Sequence, residues 1–285
     1  MMDMIKVFIT LLLCSVAFGL RAQQVDTITI HSNVMDNDVK NIIILPADYK
    51  NNPKVYPVLY LLHGYNNDYR SWLRIKPELP EFASQYGMII VCPDGKSSWY
   101  WDSPIKPKQK YETYVVNELI KYVDEHYKTI EDKNGRAITG FSMGGHGGMW
   151  LAIRHQDLFG ACGATSGGVD ICPFPDNWEI KNALGAYQEN VSCWDEHTVM
   201  NLLPLIRPEL AIIFDCGTAD FFYEVNEKLH REMLYRNIQH DYTSRPGGHE
   251  DAYWNNSIEY HLLLCCIPKF SLIFSKSQRE FWNTT

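Results

Sequence analysis

The sequence predicts an α/β fold, a mostly parallel central sheet covered by helices on both faces. Three observations carry that prediction. Apolar runs of strand length alternate with longer stretches whose apolar residues recur at helical spacing. The densest runs, Tyr56–Leu62 and Met88–Cys92, lack the polar alternation of half-exposed strands and read as buried on both faces. Glycine-bearing turns follow several of these runs, at the strand ends where such sheets place their ligand sites.

In order, Val25–Ile30 and Val39–Pro46 form two strands joined by a polar turn, an antiparallel start at the sheet edge. Tyr56–Leu62 is a central strand ending in His63-Gly64, and Met88–Cys92 the next, ending in Pro93-Asp94-Gly95. From Glu112 to Tyr127, Val115, Val116, Leu119, Ile120 and Val123 share one helical face. Ala137–Phe141 is a strand and Met143–His155 the helix after it. Strands at Phe159–Thr165, Leu210–Cys216 and His240–Ser244 follow, with helices at Phe222–Arg236 and Ala252–Leu264. Between Gly167 and Pro204 the pattern breaks, which marks a small lid-like insertion or substrate wall.

At 285 residues and 46% apolar content the chain suits one large domain, 23–285, with no repeat or linker dividing it. A formal charge of −8 with no long basic stretch excludes nucleic acid as the expected partner. Residues 1–22 read as a signal peptide: Lys6, an apolar run Val7–Leu20, and a cleavage site at Leu20-Arg21-Ala22. The run is short for a membrane span, which needs about 20 residues. Export after cleavage near Ala22 is expected, with no stable membrane insertion. A lipid anchor on Cys14 is the weaker alternative, because leucines precede it where small residues belong. Cys92, Cys216, Cys265 and Cys266 lie in apolar runs, and Cys172 with Cys193 is the favoured bridge if one forms. No C-x-x-C or H-E-x-x-H pair occurs, so neither metal nor cofactor is expected.

Gly140-Phe141-Ser142-Met143-Gly144-Gly145 sits between a strand and a helix and has the spacing of a nucleophile elbow. A serine hydroxyl needs a base to take its proton. In elbow folds the partners come later in the chain, an acid and then a histidine. Asp220, in Cys216-Gly217-Thr218-Ala219-Asp220, and His249, in Pro246-Gly247-Gly248-His249-Glu250, follow strands in that order. His249 would accept the Ser142 proton and Asp220 would fix the imidazole. Asp215 and Asp251 are the rivals to Asp220. Two backbone N–H groups must face the developing negative charge, and Met143 and Tyr65 are placed to supply them. His63 is expected to bond beneath the oxyanion loop, and His146 to pack.

These motifs, with Leu61-Leu62-His63-Gly64 and Cys92-Pro93-Asp94-Gly95, resemble the esterase D-like group of α/β-hydrolases over roughly residues 39–267. That group includes feruloyl and acetylxylan esterases of carbohydrate esterase family 1, tributyrin esterases, S-formylglutathione hydrolases and mycolyltransferases. The resemblance implies an α/β-hydrolase fold, Ser142, Asp220 and His249 as the triad, and the Tyr65 and Met143 amides as oxyanion donors. Trp99-Tyr100-Trp101-Asp102-Ser103 looks like the group's substrate-side loop, so Trp99, Trp101 and Asp102 are candidate substrate contacts; packing and turn capping are the competing readings. Tyr65-Asn66-Asn67 replaces the further glycines of several relatives, and the tail after Ile267 matches nothing assigned.

The expected function is a secreted serine carboxylesterase acting on feruloyl or acetyl esters of plant polysaccharide fragments. Its partner would be a small-molecule or oligosaccharide ester. A short-chain tributyrin-type esterase, an S-formylglutathione hydrolase-like thioesterase and an acyltransferase remain open. The non-enzyme alternative is a carbohydrate-binding pseudo-hydrolase, against which the intact Ser142, Asp220 and His249 count.

Overall fold

The frame is an eight-stranded sheet in the computed structural model, which describes residues 24–263. β1 (Gln24–Ser32) and β2 (Asn37–Leu45) form an antiparallel hairpin. β3 (Val58–Leu62), β4 (Ile89–Pro93), β5 (Arg136–Gly140), β6 (Ala161–Thr165), β7 (Ala211–Gly217) and β8 (Asp241–Arg245) follow. Across the sheet the order is β1-β2-β4-β3-β5-β6-β7-β8. β2 meets β4 antiparallel, and the remaining pairs are parallel. This is the α/β-hydrolase architecture.

Strand periodicity sorts the core into two layers. In β3, Val58, Tyr60 and Leu62 face one cluster, and Leu59 and Leu61 the other. α1 (Ser71–Ile75), α2 (Leu79–Tyr86) and α9 (Asp251–Leu262) cover the second face through Trp72, Leu79, Ala83, Trp254 and Ile258. The first face is covered by a continuous rod, by α5 (Met143–Arg154) and by α8 (Tyr223–Tyr235). The rod joins α3 (Tyr111–Thr113) to α4 (Ile120–His126) through a π-helical stretch, Tyr114–Leu119.

The expected strands and long helices are present with ends shifted by a residue or two. α1 and α2 were not expected. Their local signals exist, since Pro80 occupies the first turn of α2 and Gly87 closes it at φ 62°. Both helices are too short for apolar periodicity to stand out. The 167–204 insertion holds α6 (Lys181–Leu184), α7 (Val191–Glu196) and 3₁₀ turns. Its Val169, Ile171, Ile180, Leu184, Trp194 and Val199 are buried in the main core, which makes it a packed wall.

The favoured cysteine bridge is corrected: Cys172 and Cys193 are both free thiols. Cys172 Sγ instead lies 3.6 Å from Asp195 Oδ1, and Cys193 Sγ 3.8 Å from His197 Nδ1. The signal segment, Cys14, Cys265, Cys266 and the tail lie outside the described residues. No helix among the described residues is long and apolar enough to cross a membrane.

One buried carboxylate ties the rod to α5. Glu112 accepts Trp150 Nε1 at 3.1 Å, and Arg154 Nε and His155 Nε2 at 2.8 Å each. Burial by itself would raise its pKa, but His155 and Arg154 outweigh burial and hold it at about 2, below the ordinary 4.5. A depressed carboxyl stabilises the fold above its unfolded value and loses that contribution as pH falls through the folded one. Glu112→Gln is therefore expected to cost about 1–3 kcal/mol at pH 7. In thermal melts the gap to wild type should close between pH 4.5 and 2; a pH-independent gap would show that the charge is not the cause.

Candidate active site

Ser142 occupies the turn between β5 and α5 at φ 57°, ψ −121°, a conformation few non-glycine residues adopt. The strand and helix cross so closely there that glycine is required on both sides. A Cβ on Gly140 would lie 2.5 Å from the Leu62 carbonyl oxygen, and one on Gly144 would lie 2.4 Å from the same atom. The Ser142 N–H donates to the Thr165 carbonyl at 3.0 Å, and its own carbonyl accepts the His146 N–H at 3.0 Å. Sheet and helix thus grip the strained residue from both ends.

His249 and Asp220 reach Ser142 because two loops are stitched together. The Thr218 N–H donates to the Arg245 carbonyl and the Ala219 N–H to the Gly247 carbonyl, both at 2.9 Å. Gly247 supplies φ 147°, and a Cβ on Gly217 would meet its carbonyl oxygen at 2.4 Å. Asp220 Oδ2 then lies 2.8 Å from His249 Nδ1, and His249 Nε2 lies 2.9 Å from Ser142 Oγ. The carboxylate holds the proton on Nδ1, so Nε2 is the acceptor facing the hydroxyl. Asp220 Oδ1 is itself fixed by the Phe222 N–H at 2.8 Å. The His249 ring lies against Phe221, with centroids 4.2 Å apart, and edge-on to Trp254 at 5.0 Å.

Neither the Tyr65 N–H nor the Met143 N–H has an acceptor among the described residues, although both border buried backbone. Met143 opens α5, where first-turn amides have no helical partner. Tyr65 is aimed by its own peptide plane. His63 Nε2 accepts the Gly95 N–H at 2.8 Å, closer than Asp94 Oδ1 at 3.5 Å. The ring proton therefore sits on Nδ1 and is donated to the Gly64 carbonyl at 2.8 Å. In a planar trans peptide, fixing the Gly64 carbonyl turns the Tyr65 N–H to the opposite side. The Tyr100 hydroxyl reinforces this by accepting the His63 N–H at 3.0 Å and donating to the His63 carbonyl at 3.2 Å.

The structure places Trp99 and Trp101, two of the expected substrate contacts, in the core and Asp102, the third, against Thr113. Trp99 is 1% exposed, Tyr100 and Trp101 0%. Trp101 Nε1 donates to His146 Nε2 at 2.9 Å, while His146 Nδ1 bonds the Gly168 carbonyl at 2.9 Å. Burial lowers the His146 pKa to about 3, so the ring is neutral and works as a strut beneath the elbow helix. Asp102 accepts the Thr113 N–H at 3.0 Å and the Thr113 hydroxyl at 2.5 Å, which caps the rod. The local sequence could not separate an aromatic platform from aromatic packing. Aromatic residues the sequence reading passed over lie nearer His249: Phe221, half exposed, and Trp178, stacked on it at 5.4 Å. Phe221 follows Asp220 directly, and that adjacency was the available signal.

Of the rival acids, Asp215 is engaged elsewhere. It takes His261 Nε2 at 2.7 Å and the Thr165 hydroxyl at 2.9 Å, and His261 Nδ1 meets the Thr139 hydroxyl at 2.7 Å. Asp251 pairs with Arg74. An open charged cavity of about 800 Å³, lined by Lys121, Asp124, Glu131 and Arg136 among others, contains none of the candidate residues. Among the described residues no three His, Cys, Asp or Glu side chains are grouped to hold a metal ion.

A family model named Esterase matches residues 32–263. An esterase of Mycobacterium tuberculosis is 28% identical over 238 residues, covering 73% of this chain and 51% of its own length. The chain therefore spans about half the length of that curated relative. An acetyl esterase of Caldicellulosiruptor saccharolyticus is 24% identical over 253 residues, 81% of this chain and 94% of its own. A solved ferulic acid esterase superposes with a TM-score of 0.74 at 26% identity, covering 86% of this chain and 99% of that one.

Removing the ring that aims the Tyr65 amide should act on turnover more than on binding. His63→Ala is expected to lower kcat for p-nitrophenyl acetate by about ten- to a hundredfold with little change in KM, less than the ~10²–10³ of losing a donor outright. Steady-state kinetics decide, and an effect confined to KM would contradict the assignment.

Proposed function

Because the chain belongs to the Esterase family, we propose that it is a carboxylic ester hydrolase that works through an acyl-enzyme on Ser142. The observation that carries this reading is the unbroken chain Asp220–His249–Ser142 at 2.8 and 2.9 Å beside two acceptor-free backbone N–H groups. As Ser142 Oγ attacks the ester carbonyl carbon, His249 Nε2 takes its proton. The carbonyl oxygen becomes an oxyanion between the Tyr65 and Met143 amides. Collapse breaks the bond to the alcohol oxygen, which receives the proton back from His249. Water then attacks the acyl-enzyme by the same steps, releasing the acid and restoring Ser142.

The preferred substrates are acetyl or feruloyl esters of plant polysaccharide fragments. The similarity to an acetyl esterase and a ferulic acid esterase supports that choice. The proposed export after cleavage near Ala22 fits an external polymeric substrate.

Wild type is expected to turn over p-nitrophenyl acetate, and Ser142→Ala or His249→Ala to lose about 10⁴–10⁶ of kcat. Equal nitrophenol release by wild type and Ser142→Ala would remove the triad assignment. A panel of methyl ferulate, acetylated xylan and short triglycerides then ranks the acyl groups, and preference for tributyrin would favour a general short-chain esterase.

A further inference from the structure

An acyl-enzyme mechanism fixes the direction in which the alcohol departs. His249 Nε2 must hand its proton to the departing oxygen, whereas the Tyr65 and Met143 amides hold the carbonyl oxygen. The alcohol part of the ester therefore leaves along the His249 side. Of the rings packed on His249, Trp254 and Phe222 are buried, and Phe221, 4.2 Å between centroids, is 50% exposed. Trp178 stacks on the same ring at 5.4 Å with planes 26° apart. Together they make an apolar wall beside the base, of the kind ligand sites present.

Trp178 and Glu179 are consecutive non-glycine residues in the left-handed region, at φ 47° and 54°. Such strain persists where surrounding contacts over-determine it. Here the Trp178 carbonyl accepts Trp99 Nε1 at 3.5 Å, and the Trp178 ring lies 5.2 Å from Phe174 and 4.9 Å from Phe222. The Glu179 carbonyl accepts the Asn182 N–H at 2.8 Å. Burial and the charge of the Glu179 carboxylate raise the Tyr65 pKa, which sets that carboxylate beside the loop that carries Tyr65. Glu250 adds a second carboxylate next to His249.

Resting on the esterase reading, we propose that Phe221, Trp178 and Glu179 form the subsite for the leaving alcohol, and that Glu179 selects against anionic alcohol parts. The subsite takes a ring-bearing alcohol that is uncharged or cationic: its flat face lies on the aromatic wall, and its polar edge meets the carboxylate. Glutathione carries carboxylates on its thiol part, so this rim disfavours the S-formylglutathione alternative.

Three acetyl esters that differ in the charge on the phenol test the proposal, each rate taken relative to that ester's hydroxide-catalysed hydrolysis: 4-acetoxybenzoate (anionic), its methyl ester (neutral), and 4-acetoxyphenyltrimethylammonium (cationic). Wild type should hydrolyse the anionic ester with the lowest kcat/KM. Glu179→Gln should raise the anionic-to-neutral ratio about three- to tenfold and lower the cationic-to-neutral ratio similarly, as expected for one charge acting across a partly solvated gap. Glu179→Lys should invert the order, and 1 M NaCl should flatten it. Phe221→Ala should raise KM for the neutral aryl ester about tenfold relative to ethyl acetate, whose alcohol is too small to reach the wall. Active variants with unchanged ratios would overturn the subsite alone. Wild-type protein inert toward all three esters would overturn the esterase reading and the subsite with it.

Discussion

The contact on which the rest of this structure depends is the close approach of the first turn of α5 to the carboxyl end of β3. Gly140 and Gly144 permit it, because a single added carbon at either position would collide with the Leu62 carbonyl oxygen. That approach does two things at once. It holds Ser142 at positive φ in the turn, and it sets that turn against the loop that carries Tyr65, where a Cβ on Gly64 would lie 3.2 Å from the Ser142 Cβ. The Ser142 hydroxyl and the Met143 amide are therefore set by one piece of packing, and neither can shift without the other.

A second layer of buried polar contacts keeps that packing in register. His261 of α9 joins Thr139 of β5 to Asp215 of β7, and Asp215 in turn holds Thr165, whose carbonyl receives the Ser142 amide. Two of the Asp–His pairs among the described residues stand in opposite settings. His261 and Asp215 are sealed from solvent with every polar atom bonded, so they brace strands against the closing helix. His249 stands at the rim with the Asp220 carboxylate buried behind it, and its second ring nitrogen points at the Ser142 hydroxyl. Exposure of the ring, and not residue type, separates the two pairs.

The insertion after β6 extends the same logic outward. Its apolar residues enter the main core, and Trp178 packs on Phe221 beside His249. A wall anchored this way can impose a charge preference on what leaves the site, because it loses little freedom when substrate arrives.

The sequence by itself determined the order of strands and helices, the elbow, and the succession of Ser142, Asp220 and His249 on glycine-bearing loops. These are local matters: apolar periodicity reports which elements are buried, and glycine reports where backbone must pass close to backbone. It was silent about α1 and α2, whose few residues are held by packing against α9 and β2. It left open whether the 99–102 loop faced substrate or core. Only the tertiary structure turned Trp99 and Trp101 inward, left Cys172 and Cys193 apart, set Asp215 on His261, and brought Phe221, Trp178 and Glu179 to the rim. Those outcomes depend on which side of a packed layer a residue falls. A ring, a thiol or a carboxylate has the same identity on either side, so one strand of sequence cannot tell inside from outside until distant segments close around it.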